Sequence, residues 1–109
     1  MVVNGVPSLW RVTRCGTFLS RARGRLAATP ALAQQAWHLQ PCRAVHTFFL
    51  SEPIDVVFCD ADGAIVRIVA MLHPWRCTVD RAAASTWEFP AGAAMHMGLN
   101  IGDRITSCS

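Results

Sequence analysis

The chain has 109 residues, of which 52% are hydrophobic and 16% charged, and its formal net charge is +3. This length fits a single domain over residues 1–109, and the apolar content is too high for an intrinsically disordered protein. All ten basic residues are arginine, and only Arg21, Arg23 and Arg25 lie close together. Because nucleic-acid binding needs a longer basic stripe, the composition does not favour a nucleic acid partner.

The cysteines do not indicate a disulfide framework. Their number is odd, and none lies in a Cys-x-x-Cys motif. The five cysteines are Cys15, Cys42, Cys59, Cys77 and Cys108. No apolar stretch reaches the roughly 18 residues of a membrane-spanning helix, so no membrane span is predicted. The first 30 residues lack the continuous apolar core of a secretory signal. We therefore expect a reducing, cytoplasmic location, with export by another route left open.

The N-terminal third combines strand and helix patterns. Alternating side chains at residues 8–14 predict a short strand. Apolar residues then recur at spacings of three and four over residues 18–28, which predicts a short N-terminal helical segment interrupted at Gly24. Thr29 followed by Pro30 is a typical helix start, so a second helix within residues 29–37, or a simple turn, is expected there.

The rest of the chain is rich in Val, Ile and Phe in short alternating runs. Five strands are predicted after Pro41, at residues 43–50, 54–60, 64–72, 85–90 and 103–107. The stretch at residues 90–103 reads as a short helix or turn that ends at Gly98. The predicted fold class is mainly β, a β-rich α+β domain: a small antiparallel barrel or jelly-roll-like sandwich with the short N-terminal helical segment.

Several short motifs follow one another along the chain from His46 onwards. They are His46-Thr47-Phe48, Pro53-Ile54-Asp55, Asp60 to Gly63, Glu88 to Gly92, and Gly102-Asp103. Together they resemble the domain-of-unknown-function 192 family of small bacterial and archaeal proteins, over about residues 21–105. The resemblance implies a compact β-rich barrel or jelly-roll-like sandwich with a small helical segment. It carries over a fold and no reaction.

Two polar residues interrupt the apolar strands. Asp55 lies in a predicted strand whose two faces are both apolar, so its carboxylate is expected to be buried and to need a partner. His46 lies on the preceding strand, and our hypothesis is a cross-strand His46–Asp55 pair that fixes the register and lines a cleft. The alternative is a catalytic His–Asp dyad, for which no nucleophile is evident.

A loop at residues 73–76 and one further acid complete the candidate site. The loop places Trp75 beside Arg76, and both residue types are favoured at interaction hot spots. The alternative is that Trp75 packs over a barrel end. Glu88 is expected to form a loose ion pair, with Arg76 as a candidate partner. The candidate binding cleft therefore consists of His46, Thr47, Asp55, Trp75, Arg76 and Glu88.

The remaining acids and glycines are predicted to form turns. Asp60 and Gly63 suit a turn in which the carboxylate accepts a backbone N–H and glycine supplies a positive φ. A calcium loop begins in the same way, but its further ligands are absent. Gly92, Gly102 and Asp103 are likewise predicted to be structural turn residues.

No metal and no cofactor is predicted. Cys42 and His46 share one face of a strand, but no second close-spaced pair completes a tetrahedral site with Cys59 and Cys77. Free cysteines are more typical of small buried hydrophobic positions.

The leading functional interpretation is a non-enzymatic binding or accessory module with a small polar cleft. Its partner would be a small ligand or a protein that the sequence does not identify. One alternative is a small hydrolase using His46 with Asp55 or Glu88, although no known hydrolase or phosphate-loop motif occurs. Another is a subunit of a larger assembly, which would expose a contiguous apolar patch.

Overall fold

The computed structural model describes residues 1–15, 35–48 and 50–107. The described strands are β1 (Val2–Val3), β2 (Val6–Pro7), β3 (Arg11–Cys15), β4 (Gln35–Leu39), β5 (Ala44–His46), β6 (Ile54–Cys59), β7 (Ile65–Leu72), β8 (Cys77–Val79), β9 (Ser85–Pro90) and β10 (Ile105–Thr106). A short helix, α1 (Ala93–His96), follows β9. The domain is therefore mainly β, as the sequence predicts.

A five-stranded sheet in the order β3-β4-β9-β6-β7 forms the centre of the domain. β3 and β4 run parallel, and the other neighbours are antiparallel. A three-stranded sheet, β10-β1-β2, and a two-stranded ribbon, β5-β8, are separate from it. The central sheet is covered on both faces, so β6, which lies between β9 and β7, is buried at every position, whereas the edge strand β7 is only partly buried.

One core cluster covers the sheet face that carries Val57 and Trp87, which lie opposite each other in the β6–β9 register. Ala94 of α1 and Ile105 of β10 belong to the same cluster, so the helix and the small three-stranded sheet close this face. Fully burying an apolar side chain contributes about 1.5–3 kcal/mol to folding.

The second core cluster covers the other sheet face. Val56 and Phe58 of β6 and Trp37 of β4 contribute from the sheet, and Val45 contributes from β5. Val45 is buried whereas its neighbours on β5 are exposed. The β5–β8 ribbon therefore packs its inner face on the sheet and turns its outer face to solvent.

The β6–β7 hairpin confirms the predicted turn. The Asp60 carboxylate accepts hydrogen bonds from the backbone N–H groups of Asp62 at 2.9 Å and Ala64 at 3.0 Å. Gly63 has a φ of +84°, and a Cβ there would lie 2.7 Å from the Ile105 carbonyl oxygen. Only glycine fits this position without displacing the backbone of the last strand.

Three parts of the predicted architecture need correction. Within the described residues the central sheet is open, because its edge strands β3 and β7 do not pair with each other, and its β3–β4 pair is parallel. The predicted N-terminal helix over residues 18–28, and the helix start at Thr29 and Pro30, lie outside the described residues. Residues 35–37 belong to strand β4, and the described helix lies near the C-terminus.

Asp55 joins the sheet to α1. Its side chain is 0% exposed. One carboxylate oxygen accepts the N–H of Met71 at 2.9 Å, and the other accepts the N–H of Ala94 at 2.9 Å. Gly92, the N-cap residue, has no side chain with which to satisfy the first turn of α1, so a carboxylate from β6 does so instead.

The Met71 contact lies at an irregularity of β7. Ile54 pairs with Leu72 and Val56 pairs with Val69, so Asp55 faces two residues of β7 at a bulge. Met71 has a φ of +57°. The buried carboxylate accepts the N–H that this bulge removes from the regular ladder.

We predict that Asp55→Asn lowers the free energy of unfolding by about 2–4 kcal/mol, because it replaces a charged double acceptor by an amide whose NH₂ faces a backbone donor. Urea denaturation followed by tryptophan fluorescence measures the change. Asp62→Asn, at an exposed position of the neighbouring turn, is the matched control and should shift stability by less than about 0.5 kcal/mol. Equal urea midpoints for the Asp55 variant and the wild type would contradict this role.

His38 of β4 gives the sheet a sensitivity to acid. Its ring stacks on Trp87 with ring centroids 4.2 Å apart. Burial, with a smaller contribution from the Arg14 charge, lowers the pKa of His38 from 6.5 to about 4. Between these two values the unfolded chain binds a proton at this residue and the folded chain does not. The folded state therefore loses stability as the pH falls from about 6.5 to about 4.

We predict that His38→Phe, which keeps a ring against Trp87, reduces the loss of stability between pH 7 and pH 5. Urea midpoints measured at both pH values provide the test. His96→Gln removes an exposed histidine from α1 and should leave the pH dependence as in the wild type. A slope that is unchanged in the His38 variant would show that this imidazole does not drive the acid sensitivity.

Candidate functional site

The predicted His46–Asp55 pair is wrong. β5 pairs with β8, which places His46 opposite Cys77, whereas β6 lies between β7 and β9 in the central sheet. Both carboxylate oxygens of Asp55 accept backbone N–H groups. The prediction assumed that consecutive strands pair, but β9, which comes later in the chain, occupies the position next to β6.

The structure also separates the two buried acids of the predicted cleft. Asp55 lies opposite Phe89 in the β6–β9 register, whereas Glu88 lies opposite Val56. Because neighbouring positions of a strand point to opposite faces, Asp55 and Glu88 lie on different faces of the sheet. Glu88 is 5% exposed. These two carboxylates therefore do not line one common cleft.

Thr47, directly after β5, organises the loop at residues 73–76. Its side chain is fully buried, and its hydroxyl donates to the His73 carbonyl at 2.6 Å. The same oxygen accepts the Arg76 N–H at 2.9 Å. The backbone N–H of Thr47 donates to the Arg76 carbonyl at 2.8 Å, and its carbonyl accepts the Trp75 N–H at 3.0 Å. One residue thus fixes the path of the whole loop.

Trp75 occupies an unfavourable backbone conformation in this loop. Its φ is +62°, in the left-handed region that large side chains rarely adopt. This conformation costs about 1–2 kcal/mol for a residue with a Cβ, so it persists only where surrounding contacts enforce it. The contacts with Thr47 supply that enforcement. The Trp75 side chain is nevertheless 59% exposed, so burial of its ring does not account for the strain.

Three rings follow one another on this surface, which we call the aromatic face: His46, Phe48 and Trp75. The ring centroids of His46 and Phe48 are 5.0 Å apart with a tilt of 34°, and those of Phe48 and Trp75 are 5.7 Å apart with a tilt of 26°. Phe48 is 42% exposed. The structure thus brings His46 and Trp75 of the predicted cleft together, with Phe48 between them.

The outer face of the β5–β8 ribbon continues from the aromatic face. Ala44 lies opposite Val79, and His46 lies opposite Cys77, and all four residues are exposed. Phe48, Cys77 and Val79 are not among the residues that the sequence pattern predicts for the site. The signal for Phe48 was available, because it is two residues after His46 and therefore falls on the same face of an extended segment.

Arg76 lies beside the aromatic face and is exposed. Its backbone is bound to Thr47, and its guanidinium forms no hydrogen bond or ion pair with a described residue. The predicted ion pair between Arg76 and Glu88 is therefore not formed. A free guanidinium next to exposed rings is a combination that protein interfaces favour.

The cysteines differ in their chemical environment. Cys59 is buried in β6, and burial, together with the Asp60 carboxylate, raises the pKa of its thiol to about 12. That thiol stays protonated and unreactive at neutral pH. Cys77 is exposed on the outer face of the ribbon. Among residues 1–15, 35–48 and 50–107, no group of three or more His, Cys, Asp or Glu side chains is placed to hold a metal ion.

The described part of the chain contains no helix with the length and apolar character needed to cross a membrane. Two solved structures share its fold. A protein of unknown function from Novosphingobium aromaticivorans superposes with a TM-score of 0.78 at 18% identity, covering 90% of this chain and 75% of that one. A putative transcription regulator from Sinorhizobium meliloti gives 0.75 at 20% identity, covering 85% and 78%. At these identities the likeness shows the fold alone.

Sequence relatives carry the name UPF0127 protein. The one from Thermococcus sibiricus is 32% identical over 101 residues, which is 87% of this chain and 64% of the relative. The one from Pyrococcus horikoshii is 31% identical over 112 residues, 96% of each. The chain thus spans less than two thirds of the Thermococcus protein and nearly all of the Pyrococcus horikoshii protein. The family model for DUF192, described as "Uncharacterized ACR", matches residues 3–107, and the chain belongs to this family.

Proposed function

We propose that this domain is a binding module for another protein and that the aromatic face is its contact surface. The observation that carries the proposal is Trp75, a large side chain that is more than half exposed on a strained backbone. Strain that surrounding contacts enforce is typical of functional positions. Here the enforced conformation presents an aromatic ring to solvent, and tryptophan is the residue type most enriched at binding hot spots.

The openness of the surface favours a protein over a small molecule as the partner. Small-ligand sites are concave and bury most of the ligand. The rings of Phe48 and Trp75 instead continue the outer face of a two-stranded ribbon, where Val79 is also 52% exposed. Contiguous exposed apolar surface of this kind marks protein interaction sites.

The positions of the acids favour binding over acid–base catalysis. Asp55 holds two backbone N–H groups and is 0% exposed, so it supports the fold of the domain. Glu88 lies on the other sheet face, which the β5–β8 ribbon covers, and its side chain is 5% exposed. The hydrolase hypothesis requires a carboxylate partner for His46, and Asp55 does not supply it.

Selection from a display library of random linear peptides tests the proposal. We expect peptides that bind the wild type and lose at least about tenfold in affinity with Trp75→Ala, because removing a hot-spot ring costs 2 kcal/mol or more. Fluorescence anisotropy with labelled peptides measures the affinities. Met95→Ala, which truncates a side chain that is 83% exposed on α1, is the control and should bind as the wild type does. If every selected peptide tolerates Trp75→Ala, the aromatic face is not the contact surface.

A second prediction tests the strain itself. Trp75→Gly should be more stable than Trp75→Ala by about 1 kcal/mol, because both variants lack the ring but only glycine accepts a φ of +62° without strain. Urea midpoints of the two variants give the difference. The same pair made at Cys77, which is paired with His46 at the start of β8, should show the opposite order, since glycine is disfavoured in a strand. Equal stability of the two Trp75 variants would contradict the claim that the backbone at this position is strained.

A further inference from the structure

Resting on the proposed function, we infer that the partner presents an acidic segment: a carboxylate that meets Arg76, flanked by apolar side chains that cover the aromatic face. The charge of the surface carries this inference. Arg76 is exposed, and its guanidinium has no partner within the described ranges. A guanidinium binds a carboxylate through two parallel hydrogen bonds, a geometry that fixes the orientation of the bound segment.

Two further arginines lie against the ribbon. Arg67 of β7 donates from its guanidinium to the Val79 carbonyl at 3.3 Å, and Arg43 donates from Nε to the Ala83 carbonyl at 3.2 Å. Both side chains are exposed. Because neutral carbonyls hold them, each keeps its full positive charge. Both arginines lie at the Ala44–Val79 end of the ribbon, and Arg76 directly precedes Cys77 at the other end, so each end carries positive charge.

Acidic groups do not balance this charge on the outer face. The four outward positions of the ribbon are Ala44, His46, Cys77 and Val79, none of which is acidic. Asp80 follows β8 directly and accepts the Ala82 N–H at 2.9 Å, so its single negative charge offsets only one of the two arginines at that end. The net charge of the whole chain, +3, has the same sign. Such a surface attracts acidic partners and repels basic ones.

Arg76 is also held ready for binding. Its backbone N–H and its carbonyl are both bonded to Thr47, so the position from which the side chain projects is fixed. A fixed anchor loses less conformational entropy on binding than a mobile one. The same bonds hold Trp75, so the charge and the adjoining ring are presented together.

The surface fits a peptide segment better than a single-stranded nucleic acid. Strand-tracking nucleic acid sites combine stacked bases with a continuous series of cations along the phosphates. Between its basic ends this ribbon carries Ala44, Cys77 and Val79, which suit aliphatic side chains and not phosphates. We therefore commit to an acidic protein segment as the occupant, in agreement with the expectation that nucleic acid is not a partner.

The experiment uses the library peptides that bind in a Trp75-dependent way. We expect Asp and Glu to be enriched among them, and replacement of one acid by its amide to weaken binding about tenfold. Arg76→Gln should weaken binding of the acidic peptide by a similar factor and should not weaken binding of its amide variant, so the two losses are not additive. Arg11→Gln, which removes an exposed charge from β3, is the matched control.

The outcomes separate the two proposals. Trp75-dependent peptides that are neutral or basic would overturn the acidic partner and leave the binding module in place. Peptides that ignore Trp75 would overturn the binding module. A fluorescein-labelled oligothymidylate that binds more tightly than the best acidic peptide, with the same dependence on Trp75 and Arg76, would also overturn the acidic segment.

Discussion

The buried carboxylate of Asp55 is the interaction on which the arrangement of this domain depends. It is the second residue of β6, the strand next to the edge strand β7, and it accepts N–H groups from Met71 and Ala94. A buried charge without such partners would be strongly destabilising. One side chain therefore sets where the edge strand β7 bulges and where α1 begins. The helix then covers the sheet face that carries Trp87.

Thr47 has the same role for a different part of the chain. It is also fully buried, and it also binds backbone groups that no regular strand satisfies. In both places a polar side chain in an otherwise apolar setting determines the conformation of a non-repetitive segment. The two residues differ in what they position. Asp55 binds the start of the helix that covers a core cluster, whereas Thr47 holds Trp75 and Arg76 at the surface.

The strands that could be predicted from the sequence are those with local signals. β6 and β7 are joined by a turn whose Asp60 and Gly63 have the roles that residue type and spacing indicate. β4 could not be predicted in the same way, because its short run of Ala, Trp and Leu becomes a strand only where β9 pairs with it. Such pairing depends on tertiary contacts between segments far apart in the chain, which local patterns do not contain.

The candidate site could be predicted in part for a related reason. Residue type alone marked Trp75 and Arg76 as interaction residues, and the structure presents both at the surface. The burial of Asp55 was also predictable, but its partner was not. Side-chain partners are visible in a sequence, whereas backbone N–H groups left over at a bulge or a helix start are not. The buried position of Asp55 therefore suggested His46 as its partner, whereas in the fold two backbone N–H groups bind its carboxylate.

The aromatic face lowers the stability of the isolated domain, and this loss is consistent with a role in binding. The left-handed backbone conformation of Trp75 reduces the stability of the isolated domain. The exposed rings of Phe48 and Trp75 and the guanidinium of Arg76 do not increase it. A chain selected for stability alone would place glycine at position 75 and a polar residue at position 48. The buried hydroxyl of Thr47 holds this loop in place, so the fold itself maintains the strained backbone of Trp75. Rigid, partly exposed aromatic residues lose little entropy when a partner covers them, so the same features that weaken the free domain strengthen a complex.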